Sequence, residues 1–249
     1  VAQGDVAAAM SGPPEPRLRR AIDAVAAQRD AWASGLYWYT DFSEALAAAR
    51  ASQRPILALH LLGQLSEDLS CANSRFFRQV LYADPRVAER LRQDYVLYWR
   101  SVRPAPTLTI DFGDGRRLVR TITGNSIHYV LDGEGRMVDA LPGMYGAEAF
   151  LAALERAGNI ARATNRQSMP ARYDVCATFH RQEMVRLNDE LQLVLSRAGE
   201  LEGSPMEGAL ISGTLDVRSS AVQDPAIWER LATADPQRVR LHPASAQFL

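Results

Sequence analysis

The sequence predicts an α/β protein: a mixed β-sheet flanked by helices, with an N-terminal helical extension and a C-terminal, mostly helical tail. Three observations predict it. Pro55-Ile-Leu-Ala-Leu-His-Leu-Leu62 is an apolar run with the length of a buried strand. Shortly after Cys71, the residues Phe76, Phe77, Val80 and Leu81 recur at helical spacing, so a helix follows that strand. Further on, Gly113-Asp114-Gly115 and Gly133-Glu134-Gly135 each sit between two strand-like runs, the signature of hairpins.

The elements follow in order. Residues 1–15 read as a leader. Leu18, Ile22, Val25, Ala26 and Trp32 fall at helical spacing, which predicts a helix over 16–33 that Gly35 ends. Thr40-Asp41-Phe42-Ser43 offers capping side chains for an alanine-rich helix through Ala51. Pro55 opens the first central strand. Asp84-Pro85 closes the helix that follows Cys71 and opens another, because the residue before a proline is pushed out of the helical region. Val87, Leu91 and Tyr95 mark that next helix, and 95–102 reads as a strand. The first hairpin pairs 107–112 with 116–122. The second pairs 127–132 with 137–141, and a helix over 147–157 closes the domain. Tyr173 to Leu201 carries a thin apolar stripe, so it reads as an exposed or docked helix. Asp224-Pro225-Ala226-Ile227-Trp228 begins one more short helix. The predicted division is a leader and helix over 1–35, a central domain over 36–158, and an extension over 159–249.

Composition excludes several classes. The chain has 249 residues, 47% of them hydrophobic, and a net charge of −1 without a long block of one sign. No basic stripe tracks phosphates, so nucleic acid is not an expected partner. No apolar run is long enough to span a membrane, so no transmembrane segment is expected. All 28 basic residues are arginines, which excludes any chemistry that needs a lysine amine. With the abundant alanine, this is the mark of a GC-rich bacterial genome. The chain opens on Val1 without a basic or apolar signal region, which predicts a mature, exported protein in the periplasm or outside the cytoplasm. Two cysteines, Cys71 and Cys176, do not make a disulfide scaffold, and spacing leaves their pairing open.

Cys71 lies at the strand-to-helix junction. There the free N–H groups of a helix N-terminus favour a thiolate, as do cations such as Arg75 and Arg78, while Glu67 and Asp68 oppose it. The alternative is a packed, inert cysteine. Cys176, His180 and Met184 recur at helical spacing and are weak candidates for a soft metal site, with coincidence on an amphipathic helix as the competing reading. His60 and His128 fall in predicted strands and read as satisfied core or face residues. No phosphate loop, zinc-type cysteine pair or Ser-His-Asp order stands out, so no cofactor is expected.

The order strand, Cys71-Ala72-Asn73-Ser74, helix, Asp84-Pro85-Arg86-Val87 resembles the active-site region of thioredoxin-like proteins over roughly residues 38–157. The resemblance implies a thioredoxin-like sheet whose last two strands are 127–132 and 137–141, with 107–122 as an insertion or replacement. It also implies a Cys-x-x-Cys site, and two departures follow. Ser74 stands where the resolving cysteine would be, and serine cannot resolve a mixed disulfide. Ser126 stands where the family carries a cis-proline, and a trans bond is expected there. Cys71, Ser74 and Ser126 are therefore the candidate site residues. Two functions follow from the resemblance. One is a redox-inactive accessory subunit that binds protein partners in a larger bacterial complex, with a membrane-associated complex included. The other is a single-cysteine thiol-disulfide exchange protein with Cys71 as nucleophile.

Overall fold

The computed structural model describes residues 15–199. The predicted leader up to residue 14, and the short helix predicted at Asp224–Trp228, lie outside the described residues, while Glu15 caps the first helix. The architecture is mixed α/β: a four-stranded mixed sheet flanked by helices, and a separate two-stranded hairpin. The elements run α1 (Pro16–Ala26), α2 (Phe42–Ser52), β1 (Ile56–Leu62), α3 (Ala72–Phe76), α4 (Pro85–Asp94), β2 (Val96–Arg103), β3 (Thr107–Asp111), β4 (Arg117–Thr121), β5 (Ser126–Leu131), β6 (Met137–Pro142), α5 (Ala147–Thr164) and α6 (Met169–Gly199).

The sheet order is β2-β1-β5-β6, with β1 parallel to β2 and antiparallel to β5. Alternation along β1 sorts its side chains onto two faces. Leu57, Leu59 and Leu61 enter the large core with Phe77, Leu91, Phe150 and Leu154. Ile56 and Ala58 enter a smaller one with Ala45, Ala49 and Tyr98 of α2 and β2. Because both faces of β1 are covered, it reads as a continuous apolar run rather than an alternating one.

Local chemistry sets the helix ends. Asp41 caps α2 by accepting from the backbone N–H groups of Ser43 and Glu44. Asp84 caps α4 in the same way, with Pro85 at the first helical position, where its missing N–H costs nothing. The predicted 16–33 helix stops early, at Ala26. Ala27 and Asp30 take left-handed backbone angles. Tertiary bonds hold this break: Trp99 Nε1 donates to the Ala27 carbonyl at 2.7 Å, and Trp38 Nε1 donates to Gln28 Oε1 at 2.6 Å. These indole bonds, buried or partly so, outweigh helical periodicity at an exposed end.

The closing helix α5 is longer than predicted and passes close over Tyr95. A Cβ on Gly158 would collide with the Tyr95 hydroxyl, which donates to the Leu154 carbonyl. The long helix α6 packs against α5 and caps the sheet edge. His180 Nε2 lies 2.9 Å from the Val138 carbonyl, and Arg172 Nη2 donates to the Met137 carbonyl at 2.6 Å. An edge strand with open carbonyls is thereby covered. Asp132, fully buried, accepts from the backbone N–H groups of Glu134 and Arg136 and pairs with Arg136 at 2.8 Å and Arg172 at 3.2 Å.

Arg172→Met should therefore loosen α6 without unfolding the sheet. We expect a loss of roughly 1–3 kcal/mol, typical of a removed partner to a buried charge, and faster amide exchange along α6. Exchange rates equal to those of the parent chain would show that this ion pair does not hold α6.

Candidate functional site

The candidate site is built where β1 ends. The Cys71 N–H donates to the Leu62 carbonyl at 3.2 Å, and the Ala72 N–H donates to the Thr123 carbonyl at 3.2 Å. Cys71 is the N-cap of α3, as predicted, but its side chain makes no capping bond. Its sulfur turns inward instead. The residue is 0% exposed, and Sγ lies 3.5 Å from the Asn125 carbonyl. That carbonyl also accepts from the Leu62 N–H at 3.3 Å. Thr123 to Asn125 thus form a lid over the thiol.

Ser74 is also fully buried, and its hydroxyl donates to the Cys71 carbonyl at 2.8 Å. It bonds to backbone, not to the sulfur. Ser126 is buried at the start of β5, after a trans peptide bond. Its hydroxyl accepts from Asn73 Nδ2 at 3.0 Å. The structure therefore brings Cys71, Ser74 and Ser126 into one neighbourhood, with Asn73 as the link between the helix start and the lid. Gly124 lies directly against the Asn73 carboxamide, where a Cβ would collide with Oδ1, so the close approach requires glycine.

Of the two arginines expected near the thiol, Arg78 is engaged elsewhere. Arg78 is buried, with Nη1 3.0 Å from Asp30 and Nη2 donating to Ser70 Oγ at 3.3 Å. Burial lowers its pKa, and Asp30 opposes that shift. Asp68 pairs with Arg29 at 2.8 Å. The helix predicted after Cys71 changes pitch along its length. After Phe76 it widens into a π-helical turn, Phe77–Leu81, closed by the Tyr82 N–H donating to the Phe77 carbonyl at 2.7 Å. The wider turn seats Phe77 and Leu81 in the core together with Arg78.

Beneath the site lies a second polar feature. His128 is fully buried on β5, with ring centroids 4.8 Å from Phe77 and 5.1 Å from Phe150. Its Nε2 shares a 2.6 Å hydrogen bond with the Tyr82 hydroxyl, and its Nδ1 has no hydrogen bond among the described residues. The sequence places His128 in a strand; its near isolation among aromatic rings is visible only in the fold. Burial pushes its pKa down to about 3 and raises that of Tyr82 well above the usual phenol value.

The weaker metal candidates Cys176, His180 and Met184 all lie on α6. His180 is occupied with Val138, Met184 is exposed, and Cys176 is a free, half-buried thiol. No group of three His, Cys, Asp or Glu side chains is placed to hold a metal ion among the described residues. No described helix is long and apolar enough to cross a membrane. Comparison with protein families, curated proteins and solved structures finds no match to the chain.

The buried imidazole makes stability depend on acid. Above the ordinary histidine value of 6.5, His128 is neutral in the folded and unfolded chain alike. As pH falls through 6.5, the unfolded chain takes up the proton while the folded one does not, until about pH 3. Stability should therefore drop across that window, by on the order of 5 kcal/mol in full at about 1.4 kcal/mol per unit. Acid titration of folding, with Tyr82→Phe/His128→Leu as the comparison, checks this. The double variant should lose the part of the slope between pH 6.5 and 4. An unchanged slope would contradict the assignment.

Proposed function

We propose that the chain is a redox-inactive, thioredoxin-like module that works by binding a protein partner, as an accessory subunit of an extracytoplasmic bacterial complex. The observation that carries this reading is the sealed Cys71 sulfur. A nucleophilic thiol needs access, whereas this sulfur is buried and faces the Asn125 carbonyl. The neighbouring serine cannot resolve a mixed disulfide, and it is bonded to the Cys71 carbonyl. The strand, Cys71 N-cap and helix, followed by a strand parallel to β1 and an antiparallel pair on its other side, support the thioredoxin-like reading.

Surface features support binding in place of catalysis. On the face of the sheet that α2 covers, an open groove is lined by Phe42, His60, Tyr98, Tyr129 and Met137. His60 and Tyr129 meet edge to face at 5.0 Å, and Phe42 meets Tyr98 at 5.3 Å. Aromatic side chains with polar tips are the usual anchors of protein interfaces.

Two measurements separate this from thiol exchange through Cys71. In an insulin-reduction assay, the parent chain and Ser74→Cys should both stay at background, because restoring a second thiol does not expose the first. Capture of native partners by the Cys71→Ala chain should match that of the parent, without a disulfide-linked band on non-reducing gels. Turnover in the assay, or partner capture that depends on Cys71, would replace the binding reading with the monothiol one.

A further inference from the structure

Among the described residues, the β3–β4 hairpin forms a two-stranded sheet of its own, separate from the main one. Its register sorts its residues cleanly. Leu108 faces Arg120, Ile110 faces Leu118, and Phe112 lies opposite Arg116, so Leu108, Ile110, Phe112 and Leu118 share one side with those two arginines. The other side carries Thr107, Thr109, Asp111, Arg117, Val119 and Thr121, including the 2.9 Å ion pair of Arg117 with Asp111. This is an amphipathic ribbon with its apolar side in solvent: Leu108 is 48% exposed, Ile110 42% and Phe112 53%.

Charge narrows what covers that side. Residues 103–122 hold four arginines against two aspartates, a net of +2 in a chain whose net charge is −1. Both aspartates are engaged, Asp111 with Arg117 and Asp114 with Arg116 at 2.7 Å. Arg103 and Arg120 make no ion pair among the described residues. A second copy of the chain would set two positive ribbons against each other. The shape is a projecting arm, not a concave pocket, and the Arg116 guanidinium stacks 5.2 Å from the Phe112 ring. Aliphatic and aromatic side chains ringed by guanidinium groups match the boundary of an anionic lipid layer. There the rings reach the acyl region and each guanidinium bonds phosphate oxygens in pairs.

We propose that the β3–β4 hairpin is a membrane-docking arm that lays Leu108, Ile110 and Phe112 into an anionic lipid surface. The arm does not depend on Cys71 being inert. Its base is tied beside that residue, since Thr121 Oγ1 donates to the Ser70 carbonyl at 3.1 Å.

The test is vesicle co-flotation of the full chain. With vesicles of about 30% phosphatidylglycerol in phosphatidylcholine, the chain should float at low salt and bind less as salt rises. Pure phosphatidylcholine should bind it weakly. Leu108→Ser/Ile110→Ser should abolish flotation while leaving the thermal midpoint unchanged, because these side chains are exposed. Arg103→Gln/Arg120→Gln should weaken it, by roughly fivefold for each arginine. Failure to float on anionic vesicles at low salt would overturn the proposal, and so would equal flotation of the Leu108→Ser/Ile110→Ser chain. If the serine variant instead dissociates a dimer or loses a bound protein while the parent ignores vesicles, the apolar side is a protein interface and the lipid assignment fails.

Discussion

The C-terminal end of β1 is tied on every side, and the site depends on that knot. Leu62 accepts from Cys71 and donates to Asn125, Gly63 donates to Arg103, and Ala72 donates to Thr123. Four backbone bonds therefore join the start of α3, the end of β2 and the approach to β5. Buried backbone groups left without partners would each cost about 1–3 kcal/mol, so the segments move together or not at all. The lid over Cys71 is made from this knot. Opening it would break the pairing of the central strand.

This constraint explains why a cysteine at a helix N-terminus need not be reactive. The helix end offers N–H groups, but the thiol makes no capping bond and turns to the Asn125 carbonyl instead. Arg78 is already engaged by Asp30 and Ser70 and helps to anchor the 27–34 segment against the π-helical turn. Asn73, Ser74 and Ser126 satisfy one another and the local backbone. Polar groups at the junction stabilise its shape. Exposed apolar and aromatic surface lies elsewhere, on the groove beside α2 and on the β3–β4 hairpin.

Much of the fold was legible in the sequence, for identifiable reasons. The apolar run 55–62 matched β1 because a strand covered on both faces has no alternation to hide it. Asp84-Pro85 marked the start of α4 because its capping chemistry is local. The Gly133-Glu134-Gly135 turn placed β5 and β6 to within a residue or two. Long-range interactions stayed hidden. The break at Ala27 depends on indole bonds from Trp38 and Trp99, the latter 72 residues away. The Asp132–Arg172 pair spans 40 residues. At the site, the sequence identified Cys71, Ser74 and Ser126 but missed Asn73, which joins them, because an asparagine between Cys71 and Ser74 has no local signature. The burial of His128 beside Tyr82 was hidden too, since strand position alone does not say which rings surround a side chain.

The most direct test of the sealed site is the rate at which Cys71 reacts with a thiol reagent, measured by peptide mass spectrometry in a Cys176→Ser chain across a denaturant series. If the knot holds the lid, labelling occurs only through global unfolding. The free energy of exposure then equals the stability of the domain and falls with the same denaturant slope. Labelling of the native protein at the rate of an exposed thiol, insensitive to denaturant, would contradict the account and make Cys71 an accessible nucleophile.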